Sequence, residues 1–349
     1  MNHVVPMITT AQRTERNPGD TFIGAGLQHL FERAFGTTMR WALIDRFDSK
    51  AFRRQRRLLQ SAPFIVYGGM PQYNNYDKWV HWYDDKMWRR YIIGWNLKIF
   101  TMAGGAGSKS ELPTIEEYVA DCVASRRTRR IIQQRVDPSL CFTTRDPYAQ
   151  ALLSALNIRS VQLPCSAVWA AKMWRIEPDA ERPYLFLVPP NPRYGPSSDK
   201  REFARQWAEI YLTFKSAEPR TKVLCHGYEE YLALQGAVAT SDLWYQGDSY
   251  ALLRAYAQAK VVVSARLHGT LPAFGLPGTR ALNLSVDVRG SAVEILPKIR
   301  NCWLYDLSPG EMVKEARSLE PSAAEDLEHW ERQYQEAILS AYFASKIAP

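Results

Sequence analysis

Short apolar runs alternate along the chain with stretches that have helical spacing. The first run, residues 4–8, is followed by a polar loop and by four apolar residues between Ile23 and Phe31. Their spacing of three to four residues predicts one buried helix face, and Asp20 stands where it could cap that helix. The opening segment therefore predicts a strand followed by a helix.

The same alternation continues to the end of the chain. Predicted helices lie between most of these runs, and residues 323–345 form a further amphipathic pattern. Runs short enough for buried strands cover residues 41–44, 64–67, 99–102, 140–143, 161–163, 184–188, 222–226, 261–264 and 280–284. Such an alternation predicts an α/β protein with parallel sheets and helices on both faces.

A polar stretch divides the pattern into two halves. Residues 172–182 include Pro178 and lack an apolar run, and 349 residues suffice for two domains. We predict an N-terminal α/β domain over 1–175, a second α/β domain over 183–320, and a C-terminal helix over 321–349 that returns to the first domain. Ligands of such sheets bind beyond the carboxyl ends of the strands, so the residues that follow strands are the site candidates.

Composition excludes several classes of protein. The chain is 46% hydrophobic and 23% charged, which is typical of a folded globular protein and not of a disordered one. No apolar run approaches the length of a membrane span, and the N-terminus lacks a signal-peptide pattern. Five cysteines without a CxxC pair argue for a reducing compartment and against a disulfide framework or a zinc site. We therefore expect a cytoplasmic protein.

The positive charge is concentrated in the first half. Residues 1–171 carry 23 basic and 14 acidic side chains, a net +9, whereas the whole chain carries +8. Such clusters could contact an anionic glycan or lipid headgroups, or could be solvated helix faces. Two clusters on predicted helices stand out: Arg53, Arg54, Arg56 and Arg57, then Arg126, Arg127, Arg129 and Arg130.

The most informative segment is residues 261–277, VVVSARLHGTLPAFGLP. An apolar strand ends at Ser264, Arg266 and His268 follow at once, and a helix is predicted from Thr270 after Gly269. A cation, an imidazole and a helix N-terminus at one strand end suit a phosphate or a carboxylate. The alternative is an arginine paired with a carboxylate and a buried histidine without a ligand.

Four other segments are weaker candidates. The turn Asn17-Pro18-Gly19-Asp20 could bind sugar hydroxyls or simply cap its helix. Glycine pairs at 68–69 and 104–105 follow two strands and suggest a cleft floor, although neither matches a dinucleotide-binding or P-loop motif. Arg145 either pairs with its neighbour Asp146 or faces the cleft as a second anion ligand.

Aromatic residues are concentrated between Tyr73 and Trp95, with Trp79 and Trp82 among them. Their rings could stack on sugars or form a packed core. Aspartates interleaved with these rings disfavour a nucleic-acid surface, so no nucleic-acid partner is expected.

In this order along the chain, these features resemble the polysaccharide pyruvyl transferase family. They are the turn at 17–20, the glycines at 68–69, the Arg145-Asp146 pair, and above all the segment at 264–269 followed by Pro272-Ala273 and Gly275-Leu276-Pro277. The resemblance implies two Rossmann-like domains similar to the glycosyltransferase-B fold. It also implies transfer of pyruvate from phosphoenolpyruvate onto a sugar of a cell-surface polysaccharide or its precursor, forming a ketal and releasing phosphate.

The resemblance places Arg266 and His268 on phosphoenolpyruvate, with Arg145 as a helper. The reaction needs a general acid and a base, for which His268 and Asp20 are the candidates. In one departure, Cys165 stands in a segment where the family often has an aspartate. Ser264, Gly269 and Thr270 are further donor-site candidates, and Asn17, Gly19, Gly68, Gly69, Trp79 and Trp82 are the acceptor-site candidates.

The expected partners are phosphoenolpyruvate, as a co-substrate without a further cofactor or metal, and a saccharide acceptor. A lipid-linked acceptor, contact with the inner face of the membrane and a homo-oligomer are left open. Two competing hypotheses also remain: a nucleotide-sugar glycosyltransferase on the same fold, and a non-catalytic module that binds glycans or nucleotides. Release of a nucleoside diphosphate would identify the first, and a His268→Ala variant with intact function would identify the second.

Overall fold

The computed structural model describes residues 4–9, 17–69, 71–78, 87–107, 113–192 and 199–347. Within them the chain forms two parallel sheets, each built from one half of the sequence. The strands of the first sheet are β1 (Val4–Thr9), β2 (Arg40–Asp45), β3 (Ile65–Gly68), β4 (Pro71–Tyr73), β5 (Ile99–Ala106), β6 (Ser139–Thr144) and β7 (Val161–Gln162). Their order is β2-β1-β3-β5-β6-β7, and β4 pairs with the end of β5.

The second sheet is also parallel. Its strands are β8 (Tyr184–Val188), β9 (Thr221–Cys225), β10 (Leu243–Tyr245), β11 (Ala259–Ser264), β12 (Arg280–Ser285) and β13 (Arg300–Trp303). Their order is β10-β9-β8-β11-β12-β13. The predicted boundary at 172–182 lies between the last strand of the first sheet and the first strand of the second.

Helices connect the strands in both halves. In the first half they are α1 (Pro18–Phe35), α2 (Ser49–Arg54), α3 (Arg56–Ser61), a π-helical turn (Trp88–Ile93), α4 (Ile115–Ala124), α5 (Arg126–Gln133), α6 (Pro147–Ala155), a 3₁₀ turn (Ser166–Trp169) and α7 (Ala170–Trp174). In the second half they are α8 (Lys200–Ala217), α9 (Tyr228–Leu234), α10 (Ser249–Tyr256), α11 (Leu267–Phe274), a 3₁₀ turn (Val288–Val293), α12 (Pro309–Ser318) and α13 (Glu325–Ile347).

Helix α1 begins differently from the prediction. Asn17 is its N-cap, because the Asn17 side chain accepts a hydrogen bond from the Gly19 backbone N–H at 3.2 Å, and Pro18 fills the first helical position. Asp20 therefore lies inside the first turn and does not cap the helix. Its carboxyl group is left for another role.

Alternating side chains divide the first sheet into two faces. Met7, Val66 and Phe100 pack against α1, whereas Ile8 and Ile99 belong to a separate core covered by α2 and α3. Helix α1 also contacts α10 and α11 of the second half, so it lies between the two sheets.

Helix α13 returns to the first half, as the sequence predicts, and packs on α1 and β6. Its Glu331 accepts hydrogen bonds from His29 at 3.2 Å and Arg33 at 3.1 Å, and pairs with Lys172 at 2.7 Å. Across the described ranges, no helix combines the length and the apolar character needed to cross a membrane.

Candidate active site

A cleft of about 120 Å³ opens where the carboxyl ends of the two sheets face each other. The first half contributes Asn17, Asp20, Gly69 and Arg145 to its lining. The second half contributes the residues that follow β8, β9, β11 and β12, including Asn191, His226, Arg266, His268, Asp287 and Arg289. The cleft therefore brings together candidates that are up to about 250 residues apart in the sequence.

Arg145 lies in the wall of the cleft as a buried cation. Its side chain stacks closely on Gly105, and its Nε and Nη1 atoms have no hydrogen-bond partner among the described residues. The neighbouring Asp146 is used elsewhere, since it caps α6 through the Ala149 N–H at 2.8 Å and accepts the Ala106 N–H at 2.9 Å. Of the two predicted alternatives, the geometry favours Arg145 as a ligand of an anion.

Arg266 is already paired. Its guanidinium donates to the carbonyl of Pro189 at 3.1 Å and to a carboxylate oxygen of Glu230, which is fully buried. The other oxygen of Glu230 accepts the backbone N–H groups of His226 at 3.0 Å and Gly227 at 3.2 Å. Arg266 therefore lines the cleft with its charge balanced by a buried carboxylate, which is the pairing that the alternative interpretation predicts.

Helix α11 directs its N-terminus at the cleft. It begins at Leu267 and not at Thr270, and its N-cap residue, Arg266, makes no capping hydrogen bond with its side chain. The N–H groups of Gly269 and Thr270 donate to the Arg266 carbonyl, whereas those of Leu267 and His268, which line the cleft, have no partner among the described residues. These first two N–H groups of the helix are therefore available to an anion.

Three predicted donor contacts lie behind this wall. The Ser264 hydroxyl accepts the Arg266 N–H at 3.0 Å, Gly269 packs on Ser264, and Thr270 donates to Asn283 at 2.9 Å. All three are buried and none lines the cleft. Their role in this geometry is to shape the turn between β11 and α11.

His268 is held tightly between the two halves of the molecule. Its Nε2 lies 3.8 Å from the Cys165 sulfur, and its ring packs on Gly19 so closely that a Cβ there would lie 2.2 Å from Nδ1. Burial lowers the pKa of His268 well below its usual value, and Arg145, Arg289 and Arg266 lower it further. The imidazole is therefore neutral in the ligand-free protein, and Gly19 leaves the room that the His268 ring occupies.

The pKa of Asp20 is shifted in the opposite direction. Burial raises the pKa of its carboxyl group to about 6, although Arg46, Arg145 and the Asn17 side chain act against this shift. The cleft thus holds a carboxyl group that is easily protonated beside an imidazole that is hard to protonate. Such divergent pairs are typical of acid and base assignments in active sites.

The other acceptor candidates have mixed outcomes. Gly69 lines the cleft and has a φ of +51°, whereas Gly68 packs beneath Leu27 and does not line it. Of the aromatic stretch, Tyr73, Tyr76, Trp88 and Tyr91 are buried in the core, as the alternative interpretation predicts. Trp79 and Trp82 lie outside the described residues.

Among the ionisable residues that line the cleft, the sequence analysis missed three: His226, Asp287 and Arg289. His226 was included in the predicted run 222–226, but β9 ends at Cys225, so His226 is the first residue after the strand. Its position at a strand end was the available signal. Asp287 and Arg289 follow β12 and form a side-chain ion pair, with Arg289 Nε 2.8 Å from Asp287 Oδ1. In the described part of the chain, no group of three His, Cys, Asp or Glu side chains could hold a metal ion.

Comparisons with known proteins agree with this picture. The family model for polysaccharide pyruvyl transferase matches residues 17–276, which is more than half of the chain. No curated protein sequence matches it.

Solved structures share the fold at low sequence identity. A UDP-N-acetylglucosamine 2-epimerase is 9% identical over 100% of this chain and 99% of its own, with a TM-score of 0.50. The UDP-GlcNAc 2-epimerase of Neisseria meningitidis, bound to UDP-GlcNAc, is 7% identical over 97% and 100%, with a TM-score of 0.47. The calicheamicin glycosyltransferase CalG4 is 12% identical over 100% of both chains, with a TM-score of 0.47. The first likeness and the two parallel sheets confirm two Rossmann-like domains of the glycosyltransferase-B type.

Proposed function

The chain belongs to the polysaccharide pyruvyl transferase family, and on this premise we propose that it transfers pyruvate from phosphoenolpyruvate to a sugar. The acceptor is a sugar of a cell-surface polysaccharide or of its precursor. The product is a ketal across two hydroxyl groups, and inorganic phosphate is released. The interdomain cleft is the proposed place of this reaction.

One observation carries the proposal: Arg145 is buried in the cleft wall with Nε and Nη1 unpartnered among the described residues. Asp20 and Asp146 lie near enough to act on its charge, but a buried guanidinium whose N–H groups lack acceptors is still costly, and an anionic ligand that accepts them offsets that cost. The free N–H groups at the start of α11 supply a second anion-binding element in the same cleft. Phosphoenolpyruvate, with a carboxylate and a phosphate, matches two such elements.

The directions of the pKa shifts support acid and base roles opposite to those expected from sequence. Asp20, with its raised pKa, protonates the methylene carbon of phosphoenolpyruvate, and C2 becomes electrophilic. A sugar hydroxyl oxygen bonds to C2 while neutral His268 accepts its proton. A second hydroxyl then bonds to C2, the C2–O bond to phosphate breaks, and phosphate leaves with the electron pair and takes up the proton released at this step.

A binding experiment tests the donor assignment. We expect phosphoenolpyruvate to bind wild-type protein by calorimetry and to raise its melting temperature, and Arg145→Met to weaken binding at least about tenfold. Arg159→Met, an exposed arginine of the same domain, is the matched control. Arg266→Ala is a poorer probe because it leaves Glu230 buried without its partner.

A turnover experiment tests the reaction. Phosphate release from phosphoenolpyruvate should depend on added acceptor, for which a panel of p-nitrophenyl hexosides is a practical probe, and the modified glycoside should gain the mass of a pyruvyl ketal. Binding of a UDP-sugar with release of UDP, and no binding of phosphoenolpyruvate, would instead identify a nucleotide-sugar glycosyltransferase.

We also propose peripheral contact of the first domain with an anionic membrane surface. Both arginine clusters lie on helices α2, α3 and α5, and α2 and α3 cover the face of the first sheet opposite α1. The right-handed β5-to-β6 crossover places α5 on that same face. The cationic helices therefore lie on the face of the first domain that is turned away from the second domain.

The composition of this face favours lipid over a soluble polyanion. Ile93 is 40% exposed, and the half-buried ring of Trp95 carries the Arg56 guanidinium 5.1 Å from its centroid. Exposed Arg89 and Arg90 flank the same turn. An aliphatic side chain and an indole among arginines are typical of surfaces that contact lipid headgroups.

A further inference from the structure

His226 holds a second imidazole in the cleft wall, on the loop that follows β9. Its side chain is almost fully buried, yet the residue lines the cleft beside Arg266. Its backbone N–H is fixed by Glu230 at 3.0 Å, and the same carboxylate holds Arg266. The loop is therefore anchored by a buried ion pair and places the ring at a defined position.

The two ring nitrogens of His226 have different surroundings. Nε2 lies 2.6 Å from the hydroxyl of Tyr256, whereas Nδ1 has no hydrogen-bond partner among the described residues. Nδ1 is not fully buried, and because the residue lines the cleft, this nitrogen is reached from the cleft. One nitrogen is thus used for positioning and the other is available to a ligand.

The Tyr256 hydroxyl determines where the imidazole proton lies. Tyr256 is fully buried, and His226 Nε2 is its one hydrogen-bond partner in the described ranges. A buried hydroxyl must donate its hydrogen, so Tyr256 donates and Nε2 accepts. Burial also lowers the pKa of His226 and raises that of Tyr256, which keeps both groups neutral. The proton of the imidazole is then on Nδ1, on the cleft side.

We propose that His226 is a donor-site residue whose Nδ1–H hydrogen-bonds to the phosphate group of the donor, and that Tyr256 is the positioning residue that fixes this tautomer. The inference rests on the proposed function, because it names a contact to phosphoenolpyruvate. It requires no proton transfer. The neutral imidazole contributes a directed hydrogen bond, and Arg145 contributes the charge.

Amide substitutions test which nitrogen matters. The amide nitrogen of His226→Asn replaces Nδ1, whereas that of His226→Gln replaces Nε2 and leaves the cleft without the donor. We expect His226→Gln to weaken binding of both phosphoenolpyruvate and inorganic phosphate at least about tenfold, as for one hydrogen bond to a charged group, and His226→Asn to stay within about threefold of wild type. His329→Gln, on the exposed side of α13, is the control.

Tyr256→Phe tests the positioning role through coupling. In the wild-type background it should weaken phosphate binding, because without the Tyr256 hydroxyl the imidazole proton is no longer held on Nδ1. In the His226→Asn background, which has no imidazole, it should have no further effect. Tyr211→Phe, which removes a buried hydroxyl that donates to Asp242 at 2.7 Å in the same domain, is the matched control. ¹⁵N chemical shifts of His226 in the ligand-free protein should show Nδ1 protonated in wild type and a mixture in Tyr256→Phe.

The outcomes separate the inference from the proposed function. Wild-type protein that binds phosphoenolpyruvate while His226→Gln binds equally well overturns the inference and leaves the function intact. Wild-type protein that binds neither phosphoenolpyruvate nor phosphate overturns the proposed function. If His226→Asn and His226→Gln lose phosphate affinity equally and still unfold at the wild-type temperature, His226 acts in loop packing. That result contradicts the proposed contact.

Discussion

At the residue scale, the site is governed by how each charged group is paired. Arg266 is balanced by Glu230, whereas Arg145 keeps two nitrogen atoms without partners among the described residues. Cys165 faces His268 in a segment where a carboxylate was expected from the family, and burial raises the pKa of the thiol. A protonated thiol adds no negative charge, so nothing at this contact offsets the lowering of the His268 pKa by burial and three arginines.

The pH dependence of turnover distinguishes the two assignments of acid and base. If Asp20 is the acid, kcat falls as pH rises through its pKa, which lies above about 6 in the complex because an anionic donor adds to the effect of burial. Asp20→Asn should lower kcat by about 10² or more and remove this alkaline limb. A kcat that instead falls as pH drops below 6 would assign Asp20 as the base.

At the element scale, helix α13 secures the first domain near the site. Its Tyr334 hydroxyl donates to the carbonyl of Pro164 at 2.8 Å, next to Cys165. Its Glu331 joins α13 to α1 and α7 through His29, Arg33 and Lys172. The C-terminal helix therefore supports both the helix that carries Asp20 and the segment that faces His268.

The Glu331 network predicts a pH-dependent contribution to stability. Burial alone would raise the pKa of Glu331, but hydrogen bonds from His29 and Lys172 outweigh it and lower the pKa to about 2. Because the folded pKa is below the unfolded one, the contribution is complete above about pH 4.5 and is lost as pH falls toward 2.

Glu331→Gln should therefore lower the free energy of unfolding by about 2 kcal/mol at pH 7. The difference from wild type should shrink between pH 4.5 and 2, as followed by urea denaturation. Glu336→Gln, an exposed position on the same helix, should change stability by less than about 0.5 kcal/mol. A difference that stays constant with pH would rule out an ionised Glu331 as its source.

At the scale of the whole molecule, charge is divided between the two halves. The first 171 residues carry +9, and their arginine clusters lie on the helices opposite α1. Three arginines line the cleft: Arg145, Arg266 and Arg289. The last two are paired with carboxylates. The excess positive charge therefore belongs to an outer face and not to the donor site.

Vesicle binding tests this face. The protein should co-sediment with vesicles containing phosphatidylglycerol and not with phosphatidylcholine alone, and 0.5 M salt should weaken the binding. Arg53→Glu with Arg57→Glu should reduce binding about tenfold or more and leave phosphoenolpyruvate affinity unchanged. Arg201→Glu with Arg220→Glu makes the same charge change on exposed positions of the second domain and should have little effect. If both double variants bind the vesicles equally well, the arginine clusters are solvated helix faces without a membrane role.

The sequence by itself determined the architecture and the segments from which the site is built. A strand buried on both faces of a parallel sheet must be apolar along its length, so ten of the thirteen described strands were visible as short apolar runs. The short strands β4, β10 and β13 were not predicted. The Arg266-Leu267-His268 segment follows such a strand, and this local order placed it at the cleft. The helix cap was misassigned to Asp20 because Asn17 and Asp20 are both good caps, and only the backbone shows which one is used.

The tertiary structure alone decided which groups are paired, buried and protonated. Glu230 neutralises Arg266 from 36 residues away, and Gly19 makes room for a histidine of the other domain. His226, on the loop after β9, meets the hydroxyl of Tyr256, on helix α10, at 2.6 Å. The physical reason is that pairing and desolvation depend on distances set by packing between remote segments. The same arginine or histidine in a sequence is compatible with either state until the fold brings its neighbours into contact.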